Sequence, residues 1–471
     1  MLWWTQKKLK SRSSQVRRQA VEKLGTTLTD SAYDSLLVMV KDPDVEVRKA
    51  VMTALGNFKE DRSVPVLANA LQDKEPSVRE TAVESLRRLQ EPKAIAPLVA
   101  ALRDQSSQVR WRADKALEEM GWQPADPVQE AWHWAARGEF DRAALGGAAA
   151  VEAVAAVLID GAHHQRRAAV VALGRIGDAR IIKPLLQAIQ DGDSNVRAAA
   201  IEALAHTGDP RSVEPIIRLL TADSDTHVRA EAAEALRELK APQAVEPLTR
   251  LLSHSSWEVR HAAVNALGVF KDPLLIEPLI PLLEDPDREV REATIRTLED
   301  IGDVRAVEFI IPALKDAESS VRKMAASTLA NLDPQWAASA RAKRAIPELK
   351  TALKHKEYWV RQAAADALAR IGEVRTPQPG AVGLYNPAQV RHKNTIEILL
   401  GLLQDFDPDL RLAAAEALGR IGNPGVIEPL VKAIQDSDDR VRQAAARALQ
   451  SLRWQPRSEE EHVRFTALLK R

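Results

Sequence analysis

An arginine that recurs at a nearly fixed interval constrains the fold of this chain more than any other feature. It is most often preceded by valine and followed by an Ala-rich amphipathic run that ends in leucine. The commonest interval is 31 residues, as between Arg229, Arg260 and Arg291. A fixed period in this range indicates a solenoid of stacked structural repeats. The recurring arginines are Arg17, Arg48, Arg79, Arg110, Arg166, Arg197, Arg229, Arg260, Arg291, Arg322, Arg361, Arg411 and Arg442.

The copy at residues 193–220 shows what one repeat predicts. Val196, Ala200 and Leu204 fall at helical spacing and form one apolar stripe, which predicts an amphipathic helix. We call this the arginine helix, because it carries the recurring arginine. Gly208 follows its last apolar residue and is typical of a helix end. No alternation with the period of a β-strand occurs in this stretch.

The same copy carries the signals for a helix cap and for a further helix. Asp193 or Ser194 is placed to cap the arginine helix, because a short side-chain oxygen accepts a free N–H of the first turn. Residues 213–220 predict a shorter helix with Pro215 in its first turn, where the missing N–H costs little. The repeat is therefore predicted to be a helical hairpin, made of an arginine helix and a short helix.

Such a hairpin buries too little apolar surface to fold alone, so neighbouring copies are expected to stack on one another. The many alanines fit this demand, since small side chains let helices approach closely. The sequence predicts an all-α fold, a right-handed α-solenoid of about twelve helical hairpins. The recurring arginine then has two interpretations. It forms a ladder in which each guanidinium bonds a carboxylate or carbonyl of the next turn, or it forms a row that binds anions.

Repeats of the form D-x-x-V-R-x-A-A-x-A-L-x-x-I-G-D resemble HEAT-like repeats of the phycobilisome-lyase type. The resemblance covers most of the chain and is specific for fold, but it is weak for activity because such repeats serve unrelated tasks. HEAT-like repeats also build the deoxyhypusine hydroxylases, which bind two irons through His-Glu pairs. In this chain His261 is the one histidine at the matching place, and it is followed by Ala262. No His-Glu dipeptide occurs, so a di-iron site is not expected.

The interval between recurring arginines lengthens in three places: between Arg110 and Arg166, between Arg322 and Arg361, and between Arg361 and Arg411. These breaks predict the domain organisation. A Trp-rich segment that contains Trp132 and His133 separates two blocks of repeats, and its tryptophans suggest either an aromatic ligand pocket or the local core of an inserted hairpin. Trp454-Gln455-Pro456 repeats the Trp122-Gln123-Pro124 that opens this insert, so the chain is expected to be part of a longer array or to end in a cap. The predicted segments are an N-terminal cap and repeats at 1–120, the helical insert at 121–147, central repeats at 148–372, a Pro/Gly-rich loop at 373–394, C-terminal repeats at 395–453 and a terminal segment at 454–471.

Composition narrows the functional classes. Lys plus Arg and Asp plus Glu are balanced at 66 each among 471 residues, so no global field draws the chain to nucleic acid or to anionic membranes. There is no cysteine, which removes disulfides and thiolate metal sites. No signal peptide or membrane span is evident, and a cytoplasmic protein is the expectation.

No catalytic constellation stands out. The sequence contains no phosphate-binding loop, no dinucleotide fingerprint, no nucleophile elbow and no zinc-protease motif. His163 and His164 form the one adjacent histidine pair, which is a weak metal signal without a third ligand. We therefore predict no cofactor, no metal and a non-catalytic role.

Binding residues are expected on the arginine helices, which line the concave face in the HEAT-like solenoids that this chain resembles. Positions one before, three after and seven after the arginine should be buried, and positions one, five and nine after it should point the opposite way. Tyr385 in the Pro/Gly-rich loop is a further candidate. The candidate partner-binding residues are Trp111, Lys115, Arg167, His206, His261, Asn265, Arg296, Lys323 and Tyr385.

The predicted function is a scaffold or recognition module that binds a partner protein on the concave face, as a monomer or as part of a longer multidomain chain. Two alternatives stay open. One is chromophore attachment or a chaperone role of the bilin-lyase kind. The other is nucleic-acid binding through local basic patches, whose affinity would fall steeply with salt. The patches comprise Lys7, Lys8, Lys10, Arg12, Arg17, Arg18 and Lys23 at the start of the chain, and Arg341, Lys343, Arg344, Lys350, Lys354, Lys356 and Arg361 further on.

Overall fold

The computed structural model describes residues 2–353, 355, 358–372, 396–397, 399–405, 408–456 and 459–469. Within these ranges every regular element is an α-helix or a short 3₁₀ helix, so the predicted all-α solenoid fold is confirmed. The chain divides into two compact units, unit 1 at residues 1–239 and unit 2 at residues 240–471. Each unit is described by itself.

Unit 1 stacks helical hairpins and contains the Trp-rich insert. Short 3₁₀ turns, such as Asp61–Ser63 and Pro92–Ala94, lead into several of its short helices. Its helices are α1 Leu2–Lys8, α2 Ser14–Leu24, α3 Asp30–Met39, α4 Val45–Asn57, α5 Val64–Ala70, α6 Pro76–Leu89, α7 Ile95–Ala101, α8 Ser107–Glu119, α9 Pro127–Ala136, α10 Phe140–Ala144, α11 Val151–Ala155, α12 Val157–Asp160, α13 His163–Ile176, α14 Ile182–Ala188, α15 Ser194–Thr207, α16 Val213–Ala222 and α17 Thr226–Glu238.

Unit 2 repeats the same hairpin. Some of its short helices continue as 3₁₀ turns, such as Ile280–Glu284 and Ile311–Lys315. Residues 396–397 and 399–402 are also helical. Its labelled helices are α18 Val245–Leu251, α19 Trp257–Gly268, α20 Ile276–Leu279, α21 Arg288–Ile301, α22 Val307–Ile310, α23 Ser319–Leu332, α24 Ala340–Ala352, α25 Tyr358–Gly372, α26 Pro408–Ile421, α27 Ile427–Ala433, α28 Asp439–Ser451 and α29 Glu459–Leu469.

Helix α15 confirms the signals of the single repeat. The Asp193 carboxylate accepts the backbone N–H of Asn195 and of Val196, at 2.9 and 3.3 Å, so it caps the first turn. Gly208 ends the helix with a φ of +65°, a left-handed conformation that favours glycine. Val196 and Leu204 are fully buried, as the stripe predicts.

Arginine helices of successive repeats pack directly against one another, as α4 does on α6 and α13 on α15. Small residues at the crossings permit the close approach. A Cβ atom placed on Gly25 would lie 2.6 Å from the Cβ of Ala54, and one on Gly419 would lie 2.5 Å from the Cβ of Ala448. Larger side chains at these positions would push the helices apart, so the pattern of small residues fixes the repeat spacing.

The recurring arginine forms a ladder between repeats, which confirms the first of its two interpretations. The Arg48 guanidinium donates Nε and Nη2 to the Asp73 carboxylate at 2.7 and 2.9 Å. The Asp73 backbone carbonyl accepts Nη1 of Arg79 at 2.8 Å, so one aspartate joins two arginines. The ladder pairs are Arg17–Asp42, Arg48–Asp73, Arg79–Asp104, Arg110–Asp160, Arg166–Asp191, Arg197–Asp223, Arg260–Asp285, Arg291–Asp316 and Arg411–Asp436.

The ladder lowers the pKa of its carboxyl groups. At Asp191 and Asp436 the hydrogen bonds from the partner arginine are the largest influence, and they hold the pKa below the ordinary aspartate value. At Asp42 and Asp73 burial is the largest single influence and opposes this. The arginine hydrogen bonds, a backbone N–H and Coulombic attraction together outweigh it, so the pKa of each is still lowered.

Acid is therefore expected to unfold this protein through the ladder. A carboxyl group whose folded-state pKa is depressed stabilises the fold above its unfolded pKa of about 3.9, and this contribution is lost as the pH falls through the folded-state value. Urea unfolding followed by circular dichroism should show a midpoint that decreases as the pH falls below about 4. The Asp436→Asn variant should lose less stability over the same range. A midpoint that stays constant through this window would contradict the role of the ladder.

Candidate functional site

The predicted outward face of the arginine helices exists in unit 1. Trp111 on α8 has 45% of its surface exposed, and Lys115 lies one turn further along the same helix face. The Lys115 ammonium forms an ion pair with Glu118 at 2.9 Å. Arg167 on α13 and His206 on α15 are also exposed. These residues are distributed over several repeats rather than gathered in one cluster.

In unit 2 the predicted residues lie on α19, α21 and α23. His261 and Asn265 are half-buried and contact each other, with 3.2 Å between the Asn265 Nδ2 and the His261 Nε2. The Trp257 ring lies 6.3 Å from the His261 ring, edge to face. Arg296 and Lys323 are exposed.

Some expectations for the outward face need correction. Ala198, one residue after its arginine, is 6% exposed and belongs to the buried surface, because the alanine side chain is short enough to be covered by the neighbouring repeat. Val269 is half-buried rather than exposed. Tyr385 lies outside the described residues. The inward positions are as predicted, since the residues three and seven after Arg79 and Arg110 are fully buried.

The Trp-rich insert forms helices α9 and α10, which pack on each other and fill a place in the stack between α8 and α13. Asp126 caps α9 by accepting the Gln129 N–H at 2.8 Å. Trp132 on α9 and Phe140 on α10 are buried at 3% and 6% exposure. Trp132 thus belongs to the local core of an inserted hairpin, the second of the two interpretations of this segment.

A buried carboxylate joins the insert to the preceding repeat. Asp114 stands four residues after Arg110, where the other arginine helices of unit 1 carry the aliphatic residues Val21, Met52, Val83, Val170, Ile201 and Ala233. It is fully buried, and its carboxylate lies 2.5 Å from His133 Nδ1 and 2.8 Å from Arg137 Nε. Arg137 also pairs with Glu118 at 3.0 Å. We call Asp114, His133 and Arg137 the polar joint.

The imidazole of the polar joint lies against aromatic rings. Its ring is 6.0 Å from that of Trp122 in an edge-to-face arrangement and 4.7 Å from that of Trp134. The Arg142 guanidinium in turn lies 4.7 Å from the centre of the Trp134 ring. These contacts orient His133 toward the carboxylate, so α9 is held on α8 by both packing and charge.

The end of the chain contains an apolar version of the same joint. The backbone N–H of Trp122 donates to the Leu117 carbonyl at 3.0 Å, and the backbone N–H of Trp454 donates to the Leu449 carbonyl at the same distance. Phe465 stands where the insert has His133, and its ring lies 5.3 Å from the Trp454 ring. Ala446 stands where the insert has Asp114, and it is fully buried. The Trp-Gln-Pro match predicted from sequence is therefore also a structural match.

The residues that the structure describes hold no group of three or more His, Asp or Glu side chains placed to bind a metal ion. His163 and His164 stack edge to face with 5.5 Å between their rings. None of the helices in the described part of the chain has the length and apolar character needed to cross a membrane.

Comparison with known families agrees with this architecture. A sequence model of HEAT repeats matches residues 3–87, 36–118, 64–147, 151–237, 213–280, 276–340 and 386–468, and a single HEAT repeat matches 345–375. These matches cover most of the chain, which therefore belongs to the HEAT-repeat family. No curated protein matches it.

Several solved structures are similar to this chain. An engineered protein is 21% identical, with 97% of this chain and 99% of that chain covered and a TM-score of 0.27. A mutant of Kap121p is 16% identical, with 96% and 53% covered and a TM-score of 0.37. Kap95p, in a structure with RanGDP, is 14% identical, with 96% and 65% covered and a TM-score of 0.40. The chain thus spans about half to two thirds of the Kap121p and Kap95p chains, and at these TM-scores the likeness supports no conclusion about this chain.

Proposed function

We propose that this protein is a non-catalytic scaffold or recognition module that binds a partner protein on the outward face of its arginine helices. HEAT-repeat solenoids are commonly used for protein–protein interaction, and the proposal narrows that use to one surface. The observation that carries it is Trp111, a large aromatic side chain with 45% exposure that lies beside the charged Lys115 on the outward face of α8. Exposed tryptophan is enriched among the residues that dominate binding energy at interfaces.

The surface around Trp111 is fixed in place by ion pairs between helices. Arg87 on α6 bonds Glu119 on α8 at 2.6 Å, and Arg112 on α8 bonds Glu80 on α6 at 3.2 Å. A face held in this way loses little conformational freedom when a partner binds, which favours affinity. In the HEAT-like solenoids that the chain resembles, this face is concave, and we include a concave binding face in the proposal.

Replacing Trp111 with alanine is expected to abolish most partner recovery without changing stability. Truncating a central interface tryptophan typically costs about 2 kcal/mol or more of binding energy, which corresponds to roughly thirtyfold in affinity. The measurement is affinity capture from native lysate at low and high salt, with and without nuclease, followed by mass spectrometry. A discrete protein that wild type recovers under all conditions should be largely lost with Trp111→Ala.

Leu274→Ala is the matched control, because Leu274 is an exposed apolar side chain, at 79%, in unit 2. It should recover the same protein as wild type. Equal recovery by the Trp111 variant would contradict the proposal, as would recovery that disappears with nuclease.

The narrower predictions from the sequence remain predictions. They are the phycobilisome-lyase type of the repeats, a bilin-attachment or chaperone role, nucleic-acid binding, a cytoplasmic location, and a place in a longer chain. Two residues of the basic patches already pair with carboxylates, which leaves them less available to nucleic acid: Arg17 pairs with Asp42 at 2.7 Å and Arg344 with Glu308 at 3.4 Å. A bound chromophore after incubation with bilin would favour the lyase alternative over the scaffold.

A further inference from the structure

The insert opens a groove in unit 1 on the side of the short helices, away from the outward face proposed above. The groove has a volume of about 690 Å³, within the range of ligand-binding clefts. It is bordered by the turn at residues 103–105, by α9, by α11 and α12, and by α14. It exists because α9 and α10 occupy a place in the stack without supplying a regular short helix beside α7.

The groove has an apolar floor. Val128 and Trp132 of the insert line it together with Val151, Leu158 and Ile159 of the following repeat. Ile159 is 76% exposed, which is unusual for a β-branched aliphatic side chain beside other apolar groups. An apolar cleft that carries an exposed aliphatic side chain and is rimmed by polar residues is typical of an interaction site.

The aspartates that line the groove are already neutralised by the ladder. Asp104 and Asp191 lie along it, and each accepts hydrogen bonds from a ladder arginine. The shortest nitrogen–oxygen distances in these two pairs are 2.7 and 2.6 Å respectively. Their charge is therefore directed into the repeat stack rather than toward a ligand.

The cations that line the groove are not neutralised to the same degree. Arg103 and Lys183 are exposed, and neither forms an ion pair with the residues that the structure describes. Arg180 pairs with Asp178 at 2.9 Å. Glu152 is the one lining carboxylate that has no ion pair within the same ranges. Cations thus exceed carboxylates among the lining groups that remain available to a ligand.

From the apolar floor and this excess of free cations, we infer that the groove binds a short amphipathic peptide segment of a partner protein, with acidic residues flanking apolar ones. The apolar side chains would cover Ile159 and its neighbours, and the carboxylates would pair with Arg103 and Lys183. A nucleic acid fits less well, because an apolar floor offers nothing to a phosphate backbone.

Trp132 supplies a further reason for a ligand. Its ring lines the groove, yet its indole N–H is buried and has no acceptor among the described residues. Buried polar groups without partners are rare in folded proteins and are destabilising. A peptide carbonyl or carboxylate in line with this N–H would provide the missing acceptor.

The test is a selection of short random peptides on the full chain, with the enriched peptides then synthesised and titrated by fluorescence anisotropy. Enriched sequences should combine acidic and apolar residues. Double charge reversal, Arg103→Glu with Lys183→Glu, should weaken their binding roughly tenfold or more, because it replaces attraction with repulsion. Ile159→Ser should weaken it comparably, and at 76% exposure this change does not threaten the fold.

Lys41→Glu is the matched control, an exposed lysine of unit 1 outside the groove, and it should leave binding unchanged. Trp111→Ala should also leave it unchanged, so failure of this inference and failure of the proposed function are distinguishable. Enriched peptides without acidic residues would overturn the inference, as would binding that ignores both groove variants. Self-association lost with Ile159→Ser, or preferential binding of an oligonucleotide at the groove, would also overturn it.

Discussion

Replacing Asp114 with alanine should lower the free energy of unfolding by about 3 kcal/mol, at the lower end of the range for breaking a buried ion pair. The variant leaves His133 and Arg137 facing a site that no longer holds a carboxylate. The loss is at the lower end because Arg137 keeps its ion pair with Glu118. Urea unfolding gives the magnitude, and hydrogen exchange of α9 and α10 shows whether the insert opens first.

The double variant Asp114→Ala with His133→Phe should recover most of that loss. It reproduces the joint at the end of the chain, where Ala446 and Phe465 occupy the two positions and both are buried. Replacing a buried ion pair by apolar residues of suitable shape is often neutral or stabilising. The reciprocal variant Ala446→Asp should be destabilising, because it buries a carboxylate without a cationic partner.

Two outcomes would contradict this account of the polar joint. One is an Asp114→Ala variant as stable as wild type. The other is a double variant whose loss equals the sum of the two single losses, since a zero coupling energy would mean that the two side chains do not interact.

The second large effect is expected at the ladder. Replacing Arg79 with alanine should cost about 3 kcal/mol or more, because it leaves a buried carboxylate without its bidentate partner. Asp104 accepts both Nε and Nη2 of Arg79 at 2.7 Å. The same change removes the donor to the Asp73 carbonyl at 2.8 Å. Equilibrium urea unfolding, followed by circular dichroism, measures the loss.

Arg79→Lys should restore only part of this stability, since an ammonium group has no planar fork to bond both carboxylate oxygens and the carbonyl. Lys93→Ala is the control, because Lys93 pairs with Asp61 on an exposed surface and should not shift the unfolding midpoint. A ladder variant that behaved like this control would show that the arginine row is dispensable for stability.

The fold was largely predictable from sequence because the same helix period, helix caps and apolar stripe occur in many copies of the repeat. Period, caps and stripes agree with one another, so Gly208 and Asp193 have the roles that a single copy suggests. The partners of the arginines were predictable in kind, since a turn that contains aspartate accompanies most of them. The polar joint was visible as an aspartate at an aliphatic position, but only after the arginine helices are aligned on their arginines. Its partners required the fold, because His133 reaches Asp114 only when α9 folds back on α8.

The groove was not predictable, because it depends on where the insert places α9 rather than on any motif. None of its lining residues is unusual for its own repeat. Ile159 belongs to a normal short-helix sequence and is exposed only because a regular neighbour is missing. The same holds for the outward face, where Ala198 is covered by a neighbouring repeat although its spacing predicted exposure. The helical period of the sequence predicts the direction in which a side chain points, whereas the burial of that side chain depends on the adjacent hairpin.

The ladder affects how readily a repeat protein of this kind can gain or lose whole hairpins. Ladder arginines mostly find their aspartate 25 residues further on, as Arg79 does, but Arg110 finds Asp160 at 50 residues, across the whole insert. The arginine therefore does not recognise a particular stretch of sequence. It recognises any turn that returns an aspartate to the right place. Whole hairpins or foreign segments can therefore be inserted or removed between turns while the Arg–Asp pair still forms across the change. Each turn is thus a suitable point for genetic insertion and for engineered lengthening.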